Sequence, residues 1–158
     1  MMNEKVRSIQ CRIRRVTADD VNEVTRLLGA LYAELHEREA FPDYRLSSVE
    51  DVLRDSERTF GFVAHAGDQL MGVLMLTEGV AVYAGGVFGQ ITELYVEPEY
   101  RSQGIASLLV RRATQFGRER GWKRLDVGAP HQPRWNRSLR FYESEGFFEV
   151  GPRLKLDL

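Results

Sequence analysis

The sequence predicts a single α/β domain over residues 1–158, built on a mixed sheet with helices on both faces. Three observations carry that reading. Residues 90–128 read as strand, helix and strand in about forty positions, a βαβ unit. Phe60–Ala66 and Gln69–Leu76 are apolar runs flanking Gly67-Asp68, the pattern of a hairpin. Val21, Val24, Leu28, Leu31 and Leu35 recur at helical spacing and give one apolar stripe.

The elements follow in order. Cys11–Val16 alternates apolar and polar, as a half-buried strand does. Thr17 with Asp20 three residues on is a capping signal for the first helix. Phe41-Pro42-Asp43-Tyr44-Arg45 is a proline-broken loop, and Ser48 with Asp51 opens a shorter helix through Val49, Val52 and Leu53. After the hairpin, Gly79–Gly89 is apolar but glycine-rich. It predicts a third strand and a flexible connection before the strand that begins near Gln90. That strand stops at Pro98, and a helix follows with Ile105, Leu108, Leu109, Ala113 and Phe116 on one stripe, stopped by Gly121. Arg124–Gly128 is the next strand, Ala129–Pro133 a loop, and residues from about Arg134 to Glu145 a last helix ending at Gly146. Phe147–Val150 and Arg153–Leu156 predict a closing pair of strands around Gly151-Pro152.

Composition excludes several classes of function. The formal net charge is −1, which gives no electrostatic reason to expect nucleic acid or a membrane surface as partner. Met1–Gln10 has no apolar signal core and no run is long enough to span a bilayer, so the chain reads as cytoplasmic. The lone cysteine, Cys11, rules out an intrachain disulfide and lacks a surrounding motif. His36, His65 and His131 show no ligand spacing, so no metal is expected.

The turn Arg101-Ser102-Gln103-Gly104-Ile105-Ala106 is where function concentrates. It opens a helix beyond the carboxyl end of a strand, where unpaired N–H groups and the positive end of the dipole favour an anion. Gly104 and Ala106 keep side chains out of the way, and Arg101 adds charge. The turn has neither a P-loop ending nor the glycines of a dinucleotide fingerprint, although Asp126 lies at a suitable distance downstream. From the turn alone, a phosphate site and an ordinary tight turn both stand.

The stretch Ile91–Ala106 resembles the acetyl-CoA-binding motif of the GNAT superfamily of N-acetyltransferases. The family pattern Arg/Gln-x-x-Gly-x-Gly/Ala is met by Arg101, Gly104 and Ala106, and a second motif, a tyrosine-bearing helix ending in Gly-Phe, by Arg140–Phe147. The resemblance is strongest over residues 90–148. It implies the GNAT fold, a mostly antiparallel sheet whose two parallel strands splay apart. It also implies acetyl-CoA as acyl donor, its arm pairing with the backbone of Leu94, Tyr95 and Val96. Ser102, Gln103, Gly104, Ile105 and Ala106, with Arg101, would then hold the phosphates. The acceptor would be an amine of a small molecule or protein, and homodimers are common in such proteins; the apolar 79–89 stretch offers one interface. One position departs from the pattern: Trp135 stands where many relatives have an asparagine, and Asn136 is one place later, about 100° further round a helix. Arg134 and Arg137 are the residues placed to compensate.

Acetyl transfer to an amine needs the neutral amine, because an ammonium has no lone pair. At pH 7 a lysine-like amine lies about 3.4 units below its pKa, a cost of roughly 4–5 kcal/mol. A base removes that proton and an acid assists the departing thiolate. Tyr142, in the position of the family's tyrosine, is the candidate acid; a half-buried aromatic that only ties the last helix to the core is the competing reading. Glu93 is the candidate base. Ile91, Glu93 and Tyr95 share one face of a regular strand, and a carboxylate inside such an apolar strand is unusual; a glutamate on a solvated edge competes. Glu97 and Glu99 read as solvated and Glu78 as a reserve. Phe41, Tyr44 and Tyr83 are candidate acceptor-pocket aromatics. The rival to an enzyme is a non-catalytic acyl-CoA-binding or sensing module of the same fold, and a nucleotide-binding α/β domain is disfavoured by the single glycine.

Overall fold

The structure is a computed structural model that describes residues 10–35, 46–129 and 135–158. Five strands form one sheet in the order β1-β2-β3-β4-β5: β1 (Arg12–Arg15), β2 (Thr59–Ala66), β3 (Gln69–Ala81), β4 (Gly86–Val96) and β5 (Leu125–Val127). The first four pair antiparallel and β5 joins β4 in parallel. Among the described residues the α-helices are α1 (Val21–Leu35), α2 (Val49–Arg54), α3 (Ile105–Glu119) and α4 (Asn136–Ser144).

Both faces of the sheet are covered, as the sequence predicts. On one, α3 presses Ile105, Leu109, Ala113 and Phe116 onto Phe60, Phe62, Leu74 and Ile91. On the other, Val24, Leu27 and Leu28 of α1 and Val49 of α2 meet Val63, Val73, Met75 and Tyr95. The stripes are turned slightly from those expected. Leu27 is fully buried where Leu31 is only partly covered, and Val110 is buried while Leu108 stays 39% exposed. A helix that crosses a twisted sheet meets it over a few residues, so its end positions leave the contact.

The Thr17–Asp20 signal has a clear structural basis. The Thr17 N–H donates to Asp20 Oδ2 (2.8 Å), and Arg14 grips the same carboxylate with both terminal nitrogens at 2.7 and 2.8 Å. Those bonds, the arginine's first, hold the Asp20 carboxyl down to about 2 against the opposing effect of burial. The start of α1 is thereby tied to β1.

Two expectations are corrected. Residues 79–89 are not a strand, a connection and a new strand. β3 continues to Ala81, turns through residues 82–85 and returns as β4 from Gly86, which pairs with Ala81. Glycine weakens a strand but does not prevent one when the register supplies partners. The closing strands 147–150 and 153–156 do not form among the described residues. Phe148, Val150, Leu154 and Leu156 alternate as a strand would, yet all are exposed. Gly151 at φ +132° followed by Pro152, which has no N–H, breaks the run between the two halves.

Candidate active site

The site is organised by an irregularity in β4. Its ladder with β3 pairs Leu76 with Ile91 but Met75 with Glu93, leaving Thr92 as the extra residue of a β-bulge. The bulge resets the alternation. Ile91 belongs to the core under α3, whereas Tyr95 lies in the core under α1 and Glu93 reaches Tyr32 of α1. The expectation that Ile91, Glu93 and Tyr95 share one face is therefore wrong for Ile91, because regular alternation fails at the inserted residue.

The parallel ladder to β5 covers Gly89, Gln90 and Ile91, opposite Leu125, Asp126 and Val127, and stops there. β4 runs on to Val96, paired through its other edge to β3. Residues Thr92–Val96 thus have no partner in β5, and their main-chain groups on that edge are left unladdered. Leu94 and Val96 direct their side chains to the α3 core and Tyr95 to the α1 core, so the exposed edge is backbone.

At the same end of β4 the chain makes a short 3₁₀ turn, Pro98–Tyr100, and enters α3. Gly104 caps the helix at φ 82°, ψ 7°, and a Cβ built there meets nothing within 4 Å. Ser102 also has positive φ (61°). The first helical bond runs from Leu108 N–H to Gly104 O (3.1 Å), so the N–H groups of Ile105, Ala106 and Ser107 point out of the helix end. The left-handed glycine, the open space over it and the outward N–H groups fit a pyrophosphate. Arg137 of α4 donates to Ser102 Oγ (3.1 Å), bringing a second cation to the turn. Arg101 itself is held by Val96 O (2.8 Å), Glu34 (2.7 Å) and the Tyr95 ring, and so braces the turn against α1.

Glu93 projects on the other side of the sheet. Its carboxylate accepts from the Tyr32 hydroxyl (2.6 Å) and from Thr92 Oγ1. Beside it lies a cavity of about 110 Å³ between α1, α2 and the sheet, walled by Leu28, Leu46, Val49, Val52 and Met75. Tyr32 and Ser48 add hydroxyls to its lining. Tyr32 was not singled out from sequence, although its spacing of four from Leu28 puts it on the buried side of α1.

Tyr142 sits on α4 between the rings of Phe141 and Phe147, edge-on to both. Burial pushes its hydroxyl up to about 12. Among the described residues no hydrogen-bond partner meets that hydroxyl. α4 is tied to the first turn of α3 by a hydrogen bond from Ser107 Oγ to Glu145. The helix bearing Tyr142 is therefore docked against the turn held by Gly104.

Other sequence candidates separate from this site. Glu78 pairs with Arg120 (2.6 Å) and accepts from the Trp122 indole, near the opposite end of β4; the Arg120 hydrogen bond lowers its carboxyl's pKa. Glu97 is not solvated as expected: Arg26 holds it at 2.6 Å and its side chain is 13% exposed. Asp126 is gripped by Arg124 at 2.7 and 2.8 Å, which accounts for it without a ribose. Tyr83 is exposed in the β3–β4 turn under Arg124, away from the Gly104 turn. Cys11 packs against the α3 core, where burial pushes its thiol up. Phe41, Tyr44, His36, His131 and Arg134 lie outside the described residues. Among the described residues no three His, Cys, Asp or Glu side chains cluster as a metal site requires, and no helix is long and apolar enough to cross a membrane.

A mixed five-stranded sheet whose parallel last strand stops short of the end of β4, with a left-handed glycine opening a helix at that end, defines the fold class. Residues 21–147 match the acetyltransferase (GNAT) family, and the chain belongs to it. It is similar to an uncharacterized N-acetyltransferase of Archaeoglobus fulgidus, 28% identical over 142 residues that cover 84% of this chain and 90% of the relative. A thialysine N-epsilon-acetyltransferase of Caenorhabditis elegans is 24% identical, covering 84% of this chain and 86% of its own. Among solved structures, a ribosomal-protein-alanine N-acetyltransferase from Brucella melitensis biovar Abortus 2308 superposes with a TM-score of 0.73 at 26% identity, covering 94% of this chain and 99% of that one.

Proposed function

We propose that this chain is a one-domain, cytoplasmic N-acetyltransferase that moves an acetyl group from acetyl-CoA directly to a primary amine. The observation that carries the reading is the bulge-divided β4, with an open backbone edge on one side and Glu93 on the other. Similar proteins named for acting on a protein alanine and on thialysine support an amine as acceptor. Acetyl-CoA supplies the acetyl group already activated as a thioester. Residues 102–106 would hold its phosphates through main-chain N–H groups with Arg137 beside them, and the edge at Leu94–Val96 would pair with its arm.

Direct transfer is supported by the placement of the chain's cysteine away from the site. The only cysteine adjoins β1, and two strands separate β1 from β4. Glu93 takes the amine proton, itself or through a water, while Tyr32 and Thr92 fix its carboxylate. Tyr142 stays protonated across the working range, its hydroxyl pushed up to about 12. Full transfer to a thiolate of pKa about 8.5 is uphill, so Tyr142 acts first as a hydrogen-bond donor to the charge developing on sulfur. An amine screen with thiol-release detection tests the reading, beside thermal melts with acetyl-CoA, ATP and NAD. Acetyl-CoA at a hundredfold excess over Kd should add about 2.7 kcal/mol, roughly 5–10 °C for this size. Equal shifts with all three ligands would remove the CoA assignment; CoA binding without turnover of any amine would favour a sensing module.

A further inference from the structure

The cavity beside Glu93 restricts what the acceptor can be, given that the chain transfers acetyl groups to amines. Its walls are aliphatic, from Leu28 at the α1 side to Leu46 and Val52 toward α2, with Met75 on the sheet. Glu93 is the one charged side chain among the described residues that line it. Among the described residues, Glu34 is paired with Arg101 (2.7 Å) and Glu97 with Arg26 (2.6 Å). The volume, about 110 Å³, is well below the roughly 300–1,000 Å³ of a site that swallows a drug-sized ligand. It admits the reacting end of a molecule and a short arm.

One ammonium entering this space meets one carboxylate. A second ammonium held on the same arm within the cavity would be stripped of water against Leu28 and Met75, with no counter-charge among the described lining residues, and an unpaired desolvated cation is costly. Methylenes placed there lose only their contact with water, which is favourable. We infer that the acceptor presents a single ammonium at the end of a short apolar arm, and that the walls facing Glu93 discriminate against polyamines and polycationic sugars. Val52 is the residue that sets this choice at the mouth, where it is 42% exposed.

The matched probes are n-pentylamine and 1,5-diaminopentane, which share a carbon chain and differ in the far ammonium. With saturating acetyl-CoA, kcat/KM should be at least tenfold higher for the monoamine. Val52→Glu, an exposed helix position where glutamate is a good helix former, supplies the missing counter-charge and should bring the ratio to one or below. Equal or better use of the diamine by the wild type, or a ratio unmoved by Val52→Glu, overturns the inference. Binding provides a second readout: pentylamine should shift the methyl NMR signals of Val49, Val52 and Met75 at concentrations where the diamine does not. Turnover confined to polyamines would overturn this inference and leave acetyl transfer standing. Selective methyl shifts with no turnover of any amine would do the reverse.

Discussion

The two halves of β4 have opposite environments. From Gly89 to Ile91 the strand is laddered on both sides, and the six-membered ring of Trp122 lies so close over Gly89 that an added Cβ would sit 2.2 Å from it. From Thr92 to Val96 it keeps β3 but has lost β5, and its side chains divide between α3, α1 and a cavity. One residue, Thr92, separates the two regimes. The first half is packed to the limit and fixes where the strand lies. The second is held by β3 and by the helices, which leaves its main chain unladdered on the β5 side and the Glu93 carboxylate held by Tyr32 beside the cavity. Rigid packing on one side of the bulge is what allows an open edge on the other.

This division is tested most sharply at Tyr142, which serves the open half without packing the closed one. Tyr142→Phe removes a hydroxyl with no partner among the described residues, so the melting temperature should hold while kcat falls about 10²–10⁴-fold. Normal turnover would place the sulfur's proton donor elsewhere. Gly104→Glu puts a side chain at φ 82° and a negative charge over the phosphate turn. CoA affinity measured by calorimetry should drop by roughly a hundredfold or more, equivalent to about 2.7 kcal/mol. Retained affinity would mean the phosphates bind away from this turn.

Glu93→Gln keeps the shape and removes the charge. Its deficit should be largest near pH 7 and shrink toward the acceptor's own pKa, about 10.4 for a lysine-like amine, because free amine then arrives ready to react. A pH–rate profile that shows a constant deficit would leave proton removal to water. On the closed half, Gly89→Ala should behave in the opposite way to Tyr142→Phe. Crowding against Trp122 should cost roughly 1–3 kcal/mol in a urea melt, with kcat preserved in the folded fraction.

The smallest effect concerns the attachment of α1, which carries Tyr32 to the open half. Asp20 has its carboxyl held at about 2, below its usual 3.8. A lowered carboxyl pKa stabilises the fold above the unfolded value, and that contribution disappears as pH falls from about 4 to about 2. The shift is worth about 2 kcal/mol for this buried group. Asp20→Asn should flatten the acid limb of stability over that window; an unchanged limb would show that the Arg14 pair contributes nothing net.

Much of this was legible before any coordinates. The hairpin at Gly67-Asp68, the capping pair Thr17 and Asp20, and the βαβ turn at Gly104 each rest on short-range rules, where a few neighbouring residues dictate the backbone. The motifs at 101–106 and 140–147 carried the family. What failed was long-range. Phe147–Leu156 has a strand's alternation but pairs with no strand among the described residues, and Glu97, which reads as a solvated charge, finds Arg26 seventy-one positions away.

The sequence by itself determined which residues could turn, cap and alternate, because those preferences are settled within a few bonds along the chain. The tertiary structure alone decided which way Glu93 points. Alternation assigned it to the face of Ile91. The register that β3 imposes inserts Thr92 as a bulge and swings the carboxylate to Tyr32 and the aliphatic cavity. A bulge is a mismatch between two strands, so neither strand's sequence contains it, and it appears only when the two are paired.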